Sequence, residues 1–214
     1  MTRKSASMGI LAATLVIASA GMAFAPFLVG FAGERAAGRG DYESAVDWAT
    51  KAIRMRPGYA YPYSVRAEAY AQLGDHARAM QDYDRAVSLD PEEWLYYGMR
   101  GNLHRMLGET DAALADYTRS IELNPANVDA LVNRGRTTAI LGKYAEAIDD
   151  FTRAIEADPN CADAYLSRGI LWQVTSDLEK AGADLSDAVR LYEAQGLRDQ
   201  AEEARAVLQA MDGG

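Results

Sequence analysis

The side chains able to move protons, attack carbon or hold a metal are few in this chain. Its two histidines, His76 and His104, have no clustered partner, and its one cysteine, Cys161, excludes an internal disulfide framework or a multi-thiolate metal site. No HExxH, GxSxG, phosphate-loop or dinucleotide fingerprint is present, and the many carboxylates read as a solvated acidic face. No catalytic residue, metal ligand or cofactor is therefore expected. The chain carries 31 acidic and 22 basic residues, a net charge of −9, so its surface repels phosphate backbones and anionic lipid. Nucleic acid is thereby a poor partner. What the charged residues do offer is ion pairing at fixed spacing. Arg66, Arg100, Arg134 and Arg168 form one column, and Asp82, Asp116, Asp150 and Asp184 follow them sixteen residues later. A planar guanidinium holds a carboxylate through two bonds, so this pattern predicts a buried structural ladder. Pairing within one repeat leaves no member alone, whereas pairing with the preceding repeat would set Arg66 against Trp48 and strand Asp184. An anion-binding role for the ladder is the weaker alternative.

The elements that position these columns repeat. A length of 214 residues predicts one domain or at most two, and 49 % hydrophobic with 25 % charged residues is ordinary globular composition. Pro57, Pro91, Pro125 and Pro159 are spaced by 34, and so are Gly40, Gly74, Gly108 and Gly142, with Ser176 in the fifth place. Ala45, Ala79, Ala113, Ala147 and Ala181 make an unbroken column. Tyr83, Tyr117, Phe151 and Leu185 form a large apolar one, and Val29, Tyr63, Tyr97, Leu131 and Tyr165 another. Each unit reads as a helical hairpin. In the fourth, Val128 to Leu141 forms a first helix that Gly142 ends, and Tyr144 to Ala157 forms a second that Asp158-Pro159 stops. No hairpin alone buries both apolar faces, so each must stack on its neighbours.

This pattern resembles the tetratricopeptide repeat family. The first-helix signature appears as Tyr165, Arg168, Gly169 and Trp172, and the second-helix signature as Ala147 and Phe151, followed by Ala154 and Pro159. The resemblance implies an all-α fold, a right-handed superhelical solenoid of about five hairpins with a C-terminal capping helix. The repeats are 26–59, 60–93, 94–127, 128–161 and 162–195, the first degenerate because Ala36 and Ala49 replace aromatics. Residues 196–214 form the cap and tail, with Leu197, Ala201, Ala204, Leu208 and Met211 on one side. His76 opens a second helix, His104 takes an aromatic core place and Cys161 sits in a turn, so all three read as structural.

In this family the first helices line a concave groove that receives a peptide. Carried onto this chain, the groove residues are Tyr61 and Val65, then Leu95, Met99, Asn102, Arg105 and Met106. Val132, Asn133, Arg136 and Ile140 follow, with Leu166 and Ile170 last. The apolar members exceed what a purely solvated face needs, methionines adapt to varied ligands, and amides hold a peptide backbone. The alternative is a tight superhelix, or a cap folded over the groove, that makes these residues core. Chaperone-binding relatives clamp a C-terminal carboxylate with lysines and asparagines. The corresponding places here hold Gly98, Asn102, Asn133, Asp163 and Ser167, which match in the asparagines alone, so that clamp is not expected.

The N-terminus carries Arg3 and Lys4 before an uncharged run from Met8 to Ala25. A positive start, an apolar middle and small residues near its end are the layout of a secretory signal, cleaved before Gly21 or before Pro26. The length also suits an uncleaved anchor through residues 8–25. Either would place the folded part outside the cytoplasm, in the periplasm or facing it; a buried helix of a cytosolic protein is the third alternative. The leading expectation is a non-catalytic adaptor of the cell envelope that binds a protein or peptide. The others are a structural subunit of an envelope complex, held through its convex face or ends, and a cytosolic scaffold.

Overall fold

The computed structural model describes residues 29–212, and every regular element among them is helical. Helix α1 covers 29–37, α2 Tyr42–Met55, α3 Tyr61–Gln72 and α4 His76–Leu89. They are followed by α5 (Trp94–Met106), α6 (Thr110–Leu123), α7 (Val128–Ile140) and α8 (Tyr144–Ala157). Then come α9 (Ala162–Val174), α10 (Leu178–Ala194) and α11 (Arg198–Asp212). The chain divides into two compact units, Met1–Glu92 and Glu93–Gly214. The signal or anchor expected within residues 1–25 lies outside the described residues. Among those described, no helix is long and apolar enough to cross a membrane.

Local chemistry sets the helix ends. Asp41, Asp75 and Asp177 cap α2, α4 and α10, each side chain accepting the backbone N–H three residues on. This satisfies one of the amides that a helix start leaves without an intrahelical acceptor. The turns between the helices of a hairpin reverse through a left-handed residue. Gly142 has φ of +75°, while the fifth place is taken by Ser176 at +64°, the single non-glycine with positive φ among the described residues. The second helices α2, α4, α6 and α8 each stop two residues before a proline, whereas α10 ends at Ala194 ahead of Gly196. Asp90 and Asp158, directly before Pro91 and Pro159, have left the helical region with φ of −142° and −137°.

Packing follows the small columns. Ala45, Ala79, Ala113, Ala147 and Ala181 are all fully buried, which brings paired helices close. Behind them Tyr83 fills the first unit, and Tyr117, Phe151 and Leu185 fill the second. Glycine is needed where these side chains lie against a first helix. A Cβ added at Gly101 would stand 2.8 Å from Tyr117, one at Gly135 2.8 Å from Phe151, and one at Gly169 3.0 Å from Leu185. In the second unit each helix packs on the next, and α5 touches α7, α7 touches α9 and α9 touches α11. First helices therefore lie side by side there, as stacked hairpins require. Helix α11 closes the stack by burying Ala201 and Ala204 with Ala188, Leu191 and Tyr192.

Candidate functional site

The charged columns meet inside the hairpins. Arg66 donates from Nε and Nη2 to the two oxygens of Asp82 at 2.7 and 2.8 Å. The same two-bond pairing joins Arg100 to Asp116 at 2.8 and 2.7 Å, Arg134 to Asp150 at 2.9 and 2.6 Å, and Arg168 to Asp184 at 2.8 and 2.9 Å. All four carboxylates are buried; Asp150 is only 3 % exposed. The bond from Asp82 holds the Arg66 guanidinium above its ordinary range despite partial burial, and Asp150 and Asp184 do the same for Arg134 and Arg168. Rings of the large apolar column add a face: Tyr63, Tyr97 and Tyr165 lie 5.7–5.8 Å from the guanidinium carbons of Arg66, Arg100 and Arg168.

The sequence reading missed a third partner. Arg66 Nη1 donates to Thr50 at 3.1 Å, Arg134 to Thr118 at 3.2 Å and Arg168 to Thr152 at 3.0 Å. Each threonine lies on the preceding hairpin, sixteen residues before its arginine. The arginine thus ties two hairpins together as well as the two helices of its own. The signal was available, because Thr50, Thr118 and Thr152 keep the 34-residue register.

On the other side of the first helices are the groove positions. In the second unit Leu95, Asn102, Arg105, Met106, Arg136, Ile140 and Ile170 are exposed, while Met99, Asn133 and Leu166 are half-buried. Ile140 is 83 % exposed, the extreme among large apolar residues of the described chain. Val132 is different: at 6 % exposure it belongs to the core with Leu131 and Phe151, because it turns inward between stacked hairpins. Val65, in the first unit, is also core at 7 % exposure, with a methyl 3.3 Å from where a Cβ on Gly33 would stand. Both are corrections to the sequence reading of the groove. Tyr61 is half-buried, and its hydroxyl donates to Glu34 of α1 at 2.5 Å.

Two polar networks occupy the first-helix face of the second unit. Asn102 Oδ1 accepts from the Tyr117 hydroxyl at 2.8 Å and from Asn133 Nδ2 at 3.1 Å. One repeat on, Asp163 Oδ1 accepts from Arg136 Nη2 at 2.8 Å and from the Tyr192 hydroxyl at 3.0 Å. Burial pushes both phenols up, helped at Tyr192 by the Asp163 charge and opposed at Tyr117 by Arg105. A pocket of about 80 Å³ opens beside the amide pair, between α5 and α7.

The residues with conventional chemistry are dispersed. His104 Nδ1 lies 2.6 Å from Glu109, and its Nε2 lies 3.7 Å from Asp116, at the edge of the ion-pair ladder. His76 Nδ1 is a buried atom without a partner at the start of α4. Burial raises the Cys161 thiol, and nearby aspartates add to the effect, so no activated thiolate is built. Among the described residues no group of three His, Cys, Asp or Glu side chains converges as metal ligands would.

The resemblance extends to known proteins. Residues 60–93, 99–160 and 141–196 match models of the tetratricopeptide repeat. No curated protein sequence matches the chain. Among solved structures, MamA is 22 % identical with a TM-score of 0.67, covering 77 % of this chain and 96 % of its own. YrrB, described as a repeat protein with an unusual peptide-binding site, is 24 % identical with a TM-score of 0.62, covering 81 % of this chain and 88 % of its own. The first repeat domain of Spaghetti (RPAP3), bound to the HSP90 peptide SRMEEVD, is 28 % identical with a TM-score of 0.52, covering 55 % and 94 %. Matched over more than half its length and sharing this architecture, the chain belongs to the tetratricopeptide repeat family.

Proposed function

We propose that this protein is a non-catalytic adaptor that takes an extended segment of a partner protein across the first helices of its second unit. The observation that carries the reading is the Asn102–Asn133 pair. It sits between helices that touch each other, beside exposed Leu95, with amide donors and an acceptor left for a peptide backbone. That YrrB has a peptide-binding site and Spaghetti holds a peptide supports a peptide segment as the ligand. The acidic SRMEEVD peptide is a poor guide to the ligand, since the clamp places here hold Gly98, Asp163 and Ser167 beside the two asparagines.

The adaptor works outside the cytoplasm, as a periplasmic or membrane-anchored protein of the cell envelope. This part rests on Arg3, Lys4 and the uncharged run from Met8 to Ala25. N-terminal sequencing of the protein from cells tests it: a start at Gly21 or Pro26 means a cleaved signal. An intact Met1 in the membrane fraction means an anchor, and an intact Met1 in the cytosol overturns export.

Photocrosslinking in cells tests the binding face, with the reactive residue at Asn133 or, for comparison, at exposed Glu146 on α8. A discrete adduct from Asn133 that Asn102→Ala abolishes, absent from Glu146, is the expected result. Adducts from Glu146 alone would move attachment to the second helices and favour a structural subunit.

A further inference from the structure

The pocket between α5 and α7 has a particular chemistry. Trp94, Leu95 and Met99 wall it from one helix, and Asp129 and Ala130 line it from the other. Gly98 leaves its floor open, where an added Cβ would lie 3.5 Å from Ser120 Oγ. At its mouth Asn102 Oδ1 is already taken twice, which leaves the Asn102 amide hydrogens and Asn133 Oδ1 for a ligand.

The charges around it are unequal. Arg136 and Tyr192 both donate to Asp163, and Arg105 lies against the Tyr117 hydroxyl. No side chain among the described residues donates to Asp129, the counterpart of Asp163 one repeat earlier. A first-turn aspartate also complements the dipole of its helix, and on a plain solvated helix that would suffice as its explanation. Asp129 is likewise exposed, but it also lines a cavity with an apolar wall, where its carboxylate has acceptor capacity and no cation among the described residues to use it. The net charge of −9 adds a field that draws cations toward the chain.

We propose that this pocket receives a lysine or arginine side chain of the bound polypeptide. The apolar stem of that side chain lies along Trp94, Leu95 and Met99, its cationic head meets Asp129, and the Asn102–Asn133 pair holds the adjoining backbone. The proposal rests on the groove reading above and adds the sign of charge that the groove selects.

Fluorescence anisotropy on the full chain tests it, with a labelled nonapeptide of alternating leucine and lysine and the same peptide carrying glutamate for lysine. The lysine peptide is expected to bind and the glutamate peptide not to. Asp129→Asn, which keeps the shape, should weaken the lysine peptide about tenfold, while Asp149→Asn, an exposed carboxylate on α8, should change it less than about twofold. Gly98→Leu, which fills the pocket, should weaken it as well. Equal losses from Asp129→Asn and Asp149→Asn would reduce the effect to unspecific charge attraction and overturn the proposal, as would binding of neither peptide. If the glutamate peptide binds and Asn102→Ala abolishes it, the groove stands and the choice of a cation falls. If the Asn133 adduct in cells is absent while the lysine peptide needs Asp129, the pocket stands and the adaptor reading falls.

Discussion

The two sides of the first helices obey different rules. On the side facing the second helices, the arginine and aspartate of every complete hairpin make the same two bonds within about 0.3 Å of one another. On the groove side, one position in the same register reads Glu68, Asn102, Arg136 and Ile170. Its neighbour from the second helix changes with it. Tyr83 donates to Glu68 at 2.9 Å and Tyr117 to Asn102 at 2.8 Å, whereas Phe151 and Leu185 follow where the groove residue is Arg136 or Ile170. A buried hydroxyl is present where the groove side chain accepts a hydrogen bond, and absent where it does not, as buried polar groups require. Uniform chemistry builds the stack, and varied chemistry equips one face of it.

The contrast is sharpest in what substitution should do. Arg134→Leu strips a buried carboxylate of both its bonds and should cost about 3 kcal/mol of unfolding free energy in denaturant titration. The double variant Arg134→Leu, Asp150→Leu should recover most of that loss. A single variant as stable as the parent would mean that the ladder contributes nothing to the stack. Gly135→Ala comes next, since its methyl would meet Phe151 at 2.8 Å; a cost of about 1–3 kcal/mol is expected. Phe151→Leu, the residue found at position 185, should relieve part of it. Ser176→Gly runs the other way. Removing a Cβ at φ of +64° should raise stability by about 0.5–1 kcal/mol, seen as a higher Tm.

The smallest effect is electrostatic and lies on the surface. The Arg78 side chain holds Asp75 below the ordinary aspartate value of 3.8, as the Lys180 side chain does for Asp177 and the Ser44 bonds do for Asp41. Groups lowered on folding contribute stability above the unfolded value of about 3.8 and lose it as pH falls through their lower folded values. Urea midpoints should therefore drift down below about pH 4, and Asp75→Asn, which keeps a capping oxygen, should flatten the drift slightly. Since the caps are exposed, salt should shrink the effect. No comparable salt sensitivity is expected of the buried pairs.

Much of this was legible before any coordinates. Prolines, glycines and alanines at a 34-residue step state the hairpins directly, because each type answers to a local rule of backbone or contact distance. Helix α7 ends one residue before the expected Leu141, and α8 spans the expected residues. The sixteen-residue offset between arginine and aspartate columns is likewise a property of the sequence. Side-chain exposure was not legible. Val132 and Ile140 are similar apolar residues two turns apart on α7, yet one is 6 % and the other 83 % exposed. Their difference is set by where neighbouring hairpins lie around the helix, which no periodicity within one repeat encodes. The arginine–threonine bonds and the commitment of Asp163 to Arg136 and Tyr192, with Asp129 left open, also arise between hairpins. By itself the sequence determined the repeat, the helices and the chemistry within each hairpin, since these depend on local backbone rules and fixed offsets. Tertiary structure alone decided which groove side chains are covered, bonded or open, because that depends on the angle and distance at which successive hairpins stack.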